Sequence, residues 1–355
     1  MNFVTKNISW FVTLGAVLLG FSAALLLAAV LGESPSLVAT VLIRGAVGSA
    51  TSLGYSLYYA TPLIFTGLAV SWALKAGLFN IGAEGQMTLG GVAMAAVGIL
   101  ASGLPAAVAW PLALFAGFGA GASAGWIVAW FKVRRGVHEV LGSILMNFVS
   151  YGIAGLFILN IFRNPSSQNP ETLPIGPGFE LSQLSLIGGT SPLNVAFVFA
   201  LVFAAVADFV IRRTRLGMNL RWSGGAPEFA RRSGLSIDRE TMRALAISGG
   251  LAGLAGASVV LGYMHKAREG FSAGAGFIGI AVALLGRGNP WGVIVAALLF
   301  GGLQKGSLDL DIDTDKISRD LAGVIQALIV MAVAARPVIE AGLRTWLERR
   351  KREAT

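Results

Sequence analysis

Long uncharged stretches separated by short basic clusters set the pattern of this chain. A helix needs ~20 apolar residues to cross the hydrocarbon core of a bilayer. Trp10 to Leu31 meets this length after Lys6, and Gly45 to Leu74 runs uncharged between Arg44 and Lys75, its second half from Tyr55 forming the next span. Between Lys75 and Lys132 the sole charged residue is Glu84, which leaves room for two crossings that turn near Ser102 to Pro105. Val140 to Phe162, Asn194 to Ile211 and Ala244 to Tyr263 follow. Phe277 to Gln304 is interrupted at Gly286-Arg287-Gly288-Asn289-Pro290. Each half is short for a crossing, so two thin spans or a broken, partly re-entrant pair are expected. With Leu321 to Ala335 the series reaches about ten transmembrane helices, and the pattern predicts an all-α polytopic membrane protein. No polar linker interrupts it, so residues 1–355 read as one embedded domain. The first apolar stretch is too long for the h-region of a cleaved signal peptide and reads as a retained helix.

Composition strengthens this picture. Of 355 residues 13% are charged, about half the ~25% of an ordinary soluble domain, and 47 are glycine, which lets membrane helices approach closely. With no cysteine, a disulfide-stapled secreted module is excluded. The net charge of +9 resides in clusters, which argues for membrane topology and against a nucleic-acid partner. Lys132, Arg134 and Arg135 form one cluster, eight arginines between Arg212 and Arg243 a second, and Arg344 to Arg352 a third. By the positive-inside rule all three are cytoplasmic, as are both termini, while the 163–193 loop and the acidic 309–315 stretch face outward. Lys266 and Arg268 fit this scheme poorly, since it puts them outside.

Several polar residues interrupt the apolar background. In Phe79-Asn80-Ile81-Gly82-Ala83-Glu84-Gly85-Gln86, a carboxylate at membrane depth calls for a partner or a wet cavity. Asn80, Glu84 and Gln86 either line a substrate path at a broken helix or satisfy the backbone groups that the break frees. Asn147, with Tyr151 four residues on, offers interhelical hydrogen bonding or a contact for a flat hydroxylated ligand. Gly117, Gly121, Gly125, Gly249 and Gly253 read as close-packing faces. There is no Walker A triplet, so any ATP is bound by another chain. Neither His138 nor His265 has a partner at metal-ligand spacing, and no nucleophile–base set stands out, which argues against an enzyme.

The 212–243 loop is larger than a turn requires. Pro227 opens a short helix with Glu228 in its first turn, Arg231 and Arg232 in its last and Gly234 after it, and Asp238 caps the next helix. Such a helix suits either a soluble partner or anionic lipid. The 337–355 tail reads as a cytoplasmic amphipathic helix on the membrane surface.

The chain resembles permease subunits of ABC importers in the branched-chain amino acid, ribose and nucleoside family, especially the nucleoside branch. The resemblance rests on Ala60-Thr61-Pro62 through Leu68, Gly77 through Gln86, Gly136-Val137-His138-Glu139-Val140, Ile247 through Gly256, and Ala283 through Pro290, in the family's order over roughly 40–335. It implies a type II ABC importer permease fold in a bacterial cytoplasmic (inner) membrane, without a cofactor in this chain. The implied partners are a second permease subunit, two ATP-binding cassette subunits that bind ATP, and an extracytoplasmic substrate-binding lipoprotein. Gly224, Gly225, Pro227, Glu228, Phe229, Ala230, Arg231 and Gly234 take the coupling-helix position, with Ala226 and Phe229 departing from the family's Gly-x-Asn-Pro-x-Ala-Ala pattern. Nucleoside import by alternating access is the expected function. A monosaccharide or a branched-chain amino acid is the alternative substrate, and a proton-coupled secondary transporter working through Glu84 the alternative class.

Overall fold

The computed structural model describes residues 18–185 and 190–314 apart from residue 24, with isolated residues outside these ranges. Among them the fold is helical. The elements in order are α1 (Leu18–Val30), α2 (Pro35–Val47), α3 (Ala50–Lys75), α4 (Ala83–Leu100), α5 (Ala106–Arg135), α6 (Glu139–Leu156), α7 (Ala196–Arg213), α8 (Arg215–Gly225), α9 (Pro227–Arg232), α10 (Ile237–Leu254), α11 (Ala275–Leu285) and α12 (Pro290–Asp313). A π turn at Phe157–Ile161 prolongs α6, and a π-helical segment at Ala257–Met264 prolongs α10.

Among the described residues, six stretches are long and apolar enough to cross a membrane: α3, α4, α5, Glu139–Ile161, Ile237–Met264 and α12. The helices α1, α2 and α11 are apolar but shorter, and α7 ends in Arg212 and Arg213. The expected span at 321–335 and the amphipathic tail at 337–355 lie outside the described residues, as does most of 10–17.

Two boundaries differ from the sequence pattern. The expected division at Tyr55 falls at Gly48–Ser49 instead, because the Ser49 hydroxyl accepts the Ser52 N–H at 2.9 Å and starts α3 there. The interruption at 286–290 is present, yet only its first half is short: α12 runs 24 residues and continues past Gln304. Its acidic end stays helical through ion pairs of Asp309 with Lys305 and of Asp313 with Arg44. The turn near Ser102 to Pro105 is where the pattern put it, with Pro105 opening α5.

Helix α3 is apolar on every side and forms the centre, each residue from Ala60 to Ala73 being buried. α6 by contrast exposes Leu141, Leu145 and Phe148 along one side. The glycine faces interlock: a Cβ on Gly121 would sit 2.2 Å from the Gly249 carbonyl, and one on Gly253 2.2 Å from that of Gly117. α5 and α10 therefore touch backbone to backbone, as expected of small-residue seams.

At one end of the bundle the α8–α9 loop meets the end of α3, with the Gly224 backbone against Lys75 and Gly77. At the other, residues 163–185 form a crown. Thr172, Ile175 and Leu181 donate backbone hydrogen bonds to Ala267, His265 and Leu261. Lys266 lies in this crown with its ammonium 2.9 Å from Glu171. The cation that disturbed the charge pattern is thus one half of an ion pair.

Candidate functional site

The chain turns back on itself between α3 and α4. Gly77 adopts φ +71°, and a nonhelical segment leads to Ala83. Such a break frees backbone groups that lipid cannot satisfy. Here side chains satisfy them. Gly82 N–H donates to Asn80 Oδ1 at 2.9 Å, Ile81 N–H to Ser143 Oγ at 3.3 Å, and Gly85 N–H to Asn147 Oδ1 at 2.9 Å. Asn147 Nδ2 returns a bond to the Ile81 carbonyl at 3.1 Å. Asn80 Nδ2 donates to Gln86 Oε1 and to Ser248 Oγ, both at 2.8 Å, while Ser248 donates to the Ala69 carbonyl at 2.6 Å. One buried network thereby ties the break to α3, α6 and α10.

Glu84, 2% exposed, serves a second break. Its Oε1 accepts the Gly274 N–H at 3.1 Å and its Oε2 the Gly276 N–H at 2.6 Å. These donors begin the half-length helix α11, whose N-terminal dipole favours a negative group. Both oxygens act as acceptors, as those of an ionised carboxylate do. The sequence offered Asn80, Glu84, Gln86, Asn147 and Tyr151 as polar residues of the path or core, and the structure brings the first four together at the breaks. Tyr151 lies within electrostatic range of Glu84 but outside the hydrogen-bond network, 39% exposed with its ring packed edge-on to Phe148.

A cavity of about 210 Å³ opens beside the two breaks. Its wall includes Tyr58, Tyr59 and Pro62 of α3, Met87 of α4, Tyr263 and Met264 of the π segment, and Gln304 of α12. Ser272, Ala273 and Ala275 close it next to the Glu84-capped end of α11. The ring of Tyr58 lies 5.3 Å from that of Tyr59 and 5.5 Å from that of Tyr263, and Tyr55 continues the series 6.4 Å from Tyr59. Four of the chain's five tyrosines thus form one ladder. Sequence reasoning missed them because aromatic residues at helical spacing read as packing. The available signal was three tyrosines within five residues of an uncharged span. The π segment matters as well, since its wider turns are frequent at functional sites.

The basic loop is built as its letters predict, with one change. Pro227 begins α9, Glu228 pairs with Arg231 at 2.9 Å, and Gly234 takes φ +81°. The cap of α10 is Ser236, whose hydroxyl accepts the Arg239 N–H at 3.4 Å. Asp238, expected there, stands in the first turn with Glu240, where both carboxylates still meet the helix dipole. Phe229 is 54% exposed and packs edge-on against Trp222 at 5.2 Å. A Cβ on Gly224 would lie 2.4 Å from the Lys75 carbonyl, so only glycine lets the loop press on the α3–α4 break.

The profile of the family described as "Branched-chain amino acid transport system / permease component" matches residues 52–334. The chain belongs to this family of permease components. It is 35% identical to the guanosine ABC transporter permease protein NupP of Bacillus subtilis over 91% of its own length and 92% of that protein's. It is 30% identical to the nucleoside ABC transporter permease protein NupB of Lactococcus lactis subsp. cremoris, covering 96% and 94%. A glucose ABC transporter permease protein, TsgB13 of Haloferax volcanii, is 34% identical over 78% of this chain and 74% of that one. These relatives are transport proteins rather than enzymes. The permease component described here is accordingly a multi-pass membrane protein of an ABC transporter.

Among the described residues outside the spans, the titration of the Glu171 carboxyl is displaced. The Lys266 ammonium, with help from Ser167, holds the Glu171 carboxyl below the ordinary carboxylate range. This keeps the ion pair of the crown intact at neutral pH.

Proposed function

We propose that the chain is the nucleoside-conducting permease subunit of an ABC importer and that the tyrosine-lined cavity is part of the substrate path. The observation that carries this reading is the cavity itself: five elements, α3, α4, the π segment, α11 and α12, converge on a space walled by aromatic rings, with Ser272, Gln304 and the tyrosine hydroxyls as polar groups and no charged side chain. Purine and pyrimidine bases have flat faces that stack on aromatic rings, and ribose hydroxyls exchange hydrogen bonds with such polar groups. The similarity to guanosine and nucleoside permeases over nine-tenths of both chains supports the same substrate class.

The same reading extends to coupling. Two ATP-binding cassette subunits dock on the α8–α9 loop, where Phe229 and Trp222 form an aromatic knob. Closure of the ATPases moves this loop, and Gly224 transmits the motion to Lys75–Gly77 and so to the break that borders the cavity. A second permease subunit completes the path, and an extracytoplasmic binding lipoprotein delivers ligand to the crown side. Both termini lie in the cytoplasm, and the chain forms a single permease domain with 212–243 as its coupling loop. Asn80, Glu84, Gln86 and Asn147 support the path by holding its broken helices, and a proton-coupled mechanism finds no carboxylate in the cavity wall.

The test is uptake into proteoliposomes holding the chain with its partner permease, the ATPases and the binding protein. ATP-dependent accumulation of labelled guanosine or uridine, with glucose, ribose and leucine inert, is expected. Accumulation of glucose or leucine with nucleosides inert would reject the substrate assignment, and uptake by the lone chain under a proton gradient would reject the class.

A further inference from the structure

The N-terminus of a half-helix at membrane depth is ordinarily a place where an anionic group binds, because its free N–H groups and the helix dipole both point there. In this chain α11 begins at the cavity: Ser272, Ala273 and Ala275 are wall residues, and Gly274 and Gly276 supply the N–H groups. Those donors are already taken by both oxygens of Glu84, which approaches from α4 behind the wall. The wall itself carries no charged side chain. Lys305 follows Gln304 in sequence and lies 5.6 Å from the ring of Tyr55, yet it is paired with Asp309.

We infer that Glu84 is a specificity-determining residue that occupies the anion position of the cavity from within, so that the path accepts uncharged ligands and rejects anionic ones. The inference rests on the reading of the cavity as the nucleoside path and adds what that reading lacks, a reason for a nucleoside to be taken and its phosphate refused. Geometry favours this role over one in packing alone. A carboxylate compensates a helix N-terminus in charge and offers an oxygen to each of the two donors, whereas Gln has a single acceptor oxygen, sets its amide NH2 against the second N–H and leaves the dipole uncompensated. With Glu84 in place, a phosphate entering the cavity meets a negative charge behind Ala273–Ala275 and finds no vacant donor on α11. With that charge removed, the same helix end becomes an anion site.

Equilibrium binding to the full chain assembled with its partner permease in lipid nanodiscs tests this directly, with tritiated guanosine as the probe and guanosine 5′-monophosphate as the competitor. The unaltered chain is expected to bind guanosine at least about thirtyfold more tightly than the monophosphate. E84Q, which keeps the shape and loses the charge, should reduce that ratio by about tenfold, mainly through tighter monophosphate binding. E84D, which keeps the charge, should hold the ratio nearer to the original. Monophosphate binding within about threefold of guanosine on the unaltered chain would overturn the inference without any substitution, and so would an unchanged ratio in folded E84Q. Failure of guanosine itself to bind is a separate result, which would remove the cavity reading and this inference with it.

Discussion

Replacing Asn147 by alanine removes from α6 the acceptor of the Gly85 N–H and the donor to the Ile81 carbonyl, at 2.9 and 3.1 Å. The side chain is 3% exposed, so neither backbone group gains bulk water in exchange. A hydrogen bond between membrane helices contributes roughly 0.6–1.7 kcal/mol, and a polar group stranded in an apolar interior costs about 1–3 kcal/mol. Two such bonds, less about 0.5 kcal/mol regained from the helix propensity of alanine, give a destabilisation of about 2 kcal/mol. Reversible unfolding in mixed micelles reads this number. Ser143→Ala, which removes the acceptor of the Ile81 N–H on the same helix, should couple to it in a double-mutant cycle, because both serve one backbone segment. Tyr151→Phe, on the exposed flank of α6, should stay within about 0.5 kcal/mol of the unaltered chain. A loss below about 0.5 kcal/mol for Asn147→Ala, or no coupling to Ser143→Ala, would refute the view that this side chain holds the α3–α4 break.

Two further outcomes follow from packing and from charge. Gly121→Leu should destabilise the chain by at least about 1–3 kcal/mol or prevent folding, since its Cβ alone would fall 2.2 Å from the Gly249 carbonyl; Gly119→Ala, facing open space, should be neutral or stabilising, and thermal aggregation in detergent compares them. Glu171 has a folded-state value below its unfolded one, so its ion pair with Lys266 contributes fully above the unfolded carboxylate range and is lost as pH falls through the lowered value. Hydrogen exchange of the 163–185 crown, expressed relative to the intrinsic amide rate at each pH, should therefore accelerate below about pH 4 in the unaltered chain. In Lys266→Met it should already be faster at pH 7 and less dependent on pH.

Legibility in the sequence varied with the kind of interaction. A lone charge in an uncharged stretch is conspicuous, so Glu84 stood out, and four of the five polar candidates converge on the broken helices. The partners of Glu84 were invisible because they are the backbone N–H groups of Gly274 and Gly276, and a backbone donor has no letter of its own. The tyrosine ladder was hidden for the opposite reason, its residue type being common in any membrane span. Turn chemistry was read well at Pro105 and Pro227, where proline fixes the backbone. It was read less well at α10, where Ser236 and Asp238 are both good caps and the structure uses the earlier one. The length of α12 was underestimated because Lys305 and the aspartates after it look like a loop until their i,i+4 pairing and the contact with Arg44 are seen. Lys266 stands against the charge rule as a single residue, and the pairing with Glu171 that accounts for it in the crown joins residues 95 apart in sequence.

The measurement that tests the central claim most directly is photo-crosslinking of the assembled importer with 8-azidoguanosine, followed by mass spectrometry of the labelled peptides. If the cavity is the nucleoside path, label falls on the segments holding Tyr58–Tyr59 and Tyr263, excess guanosine protects them, and Tyr58→Ala with Tyr263→Ala abolishes labelling. Label confined to the exposed flank of α6 around Phe148 and Tyr151, with the tyrosine ladder unmarked, would contradict the account.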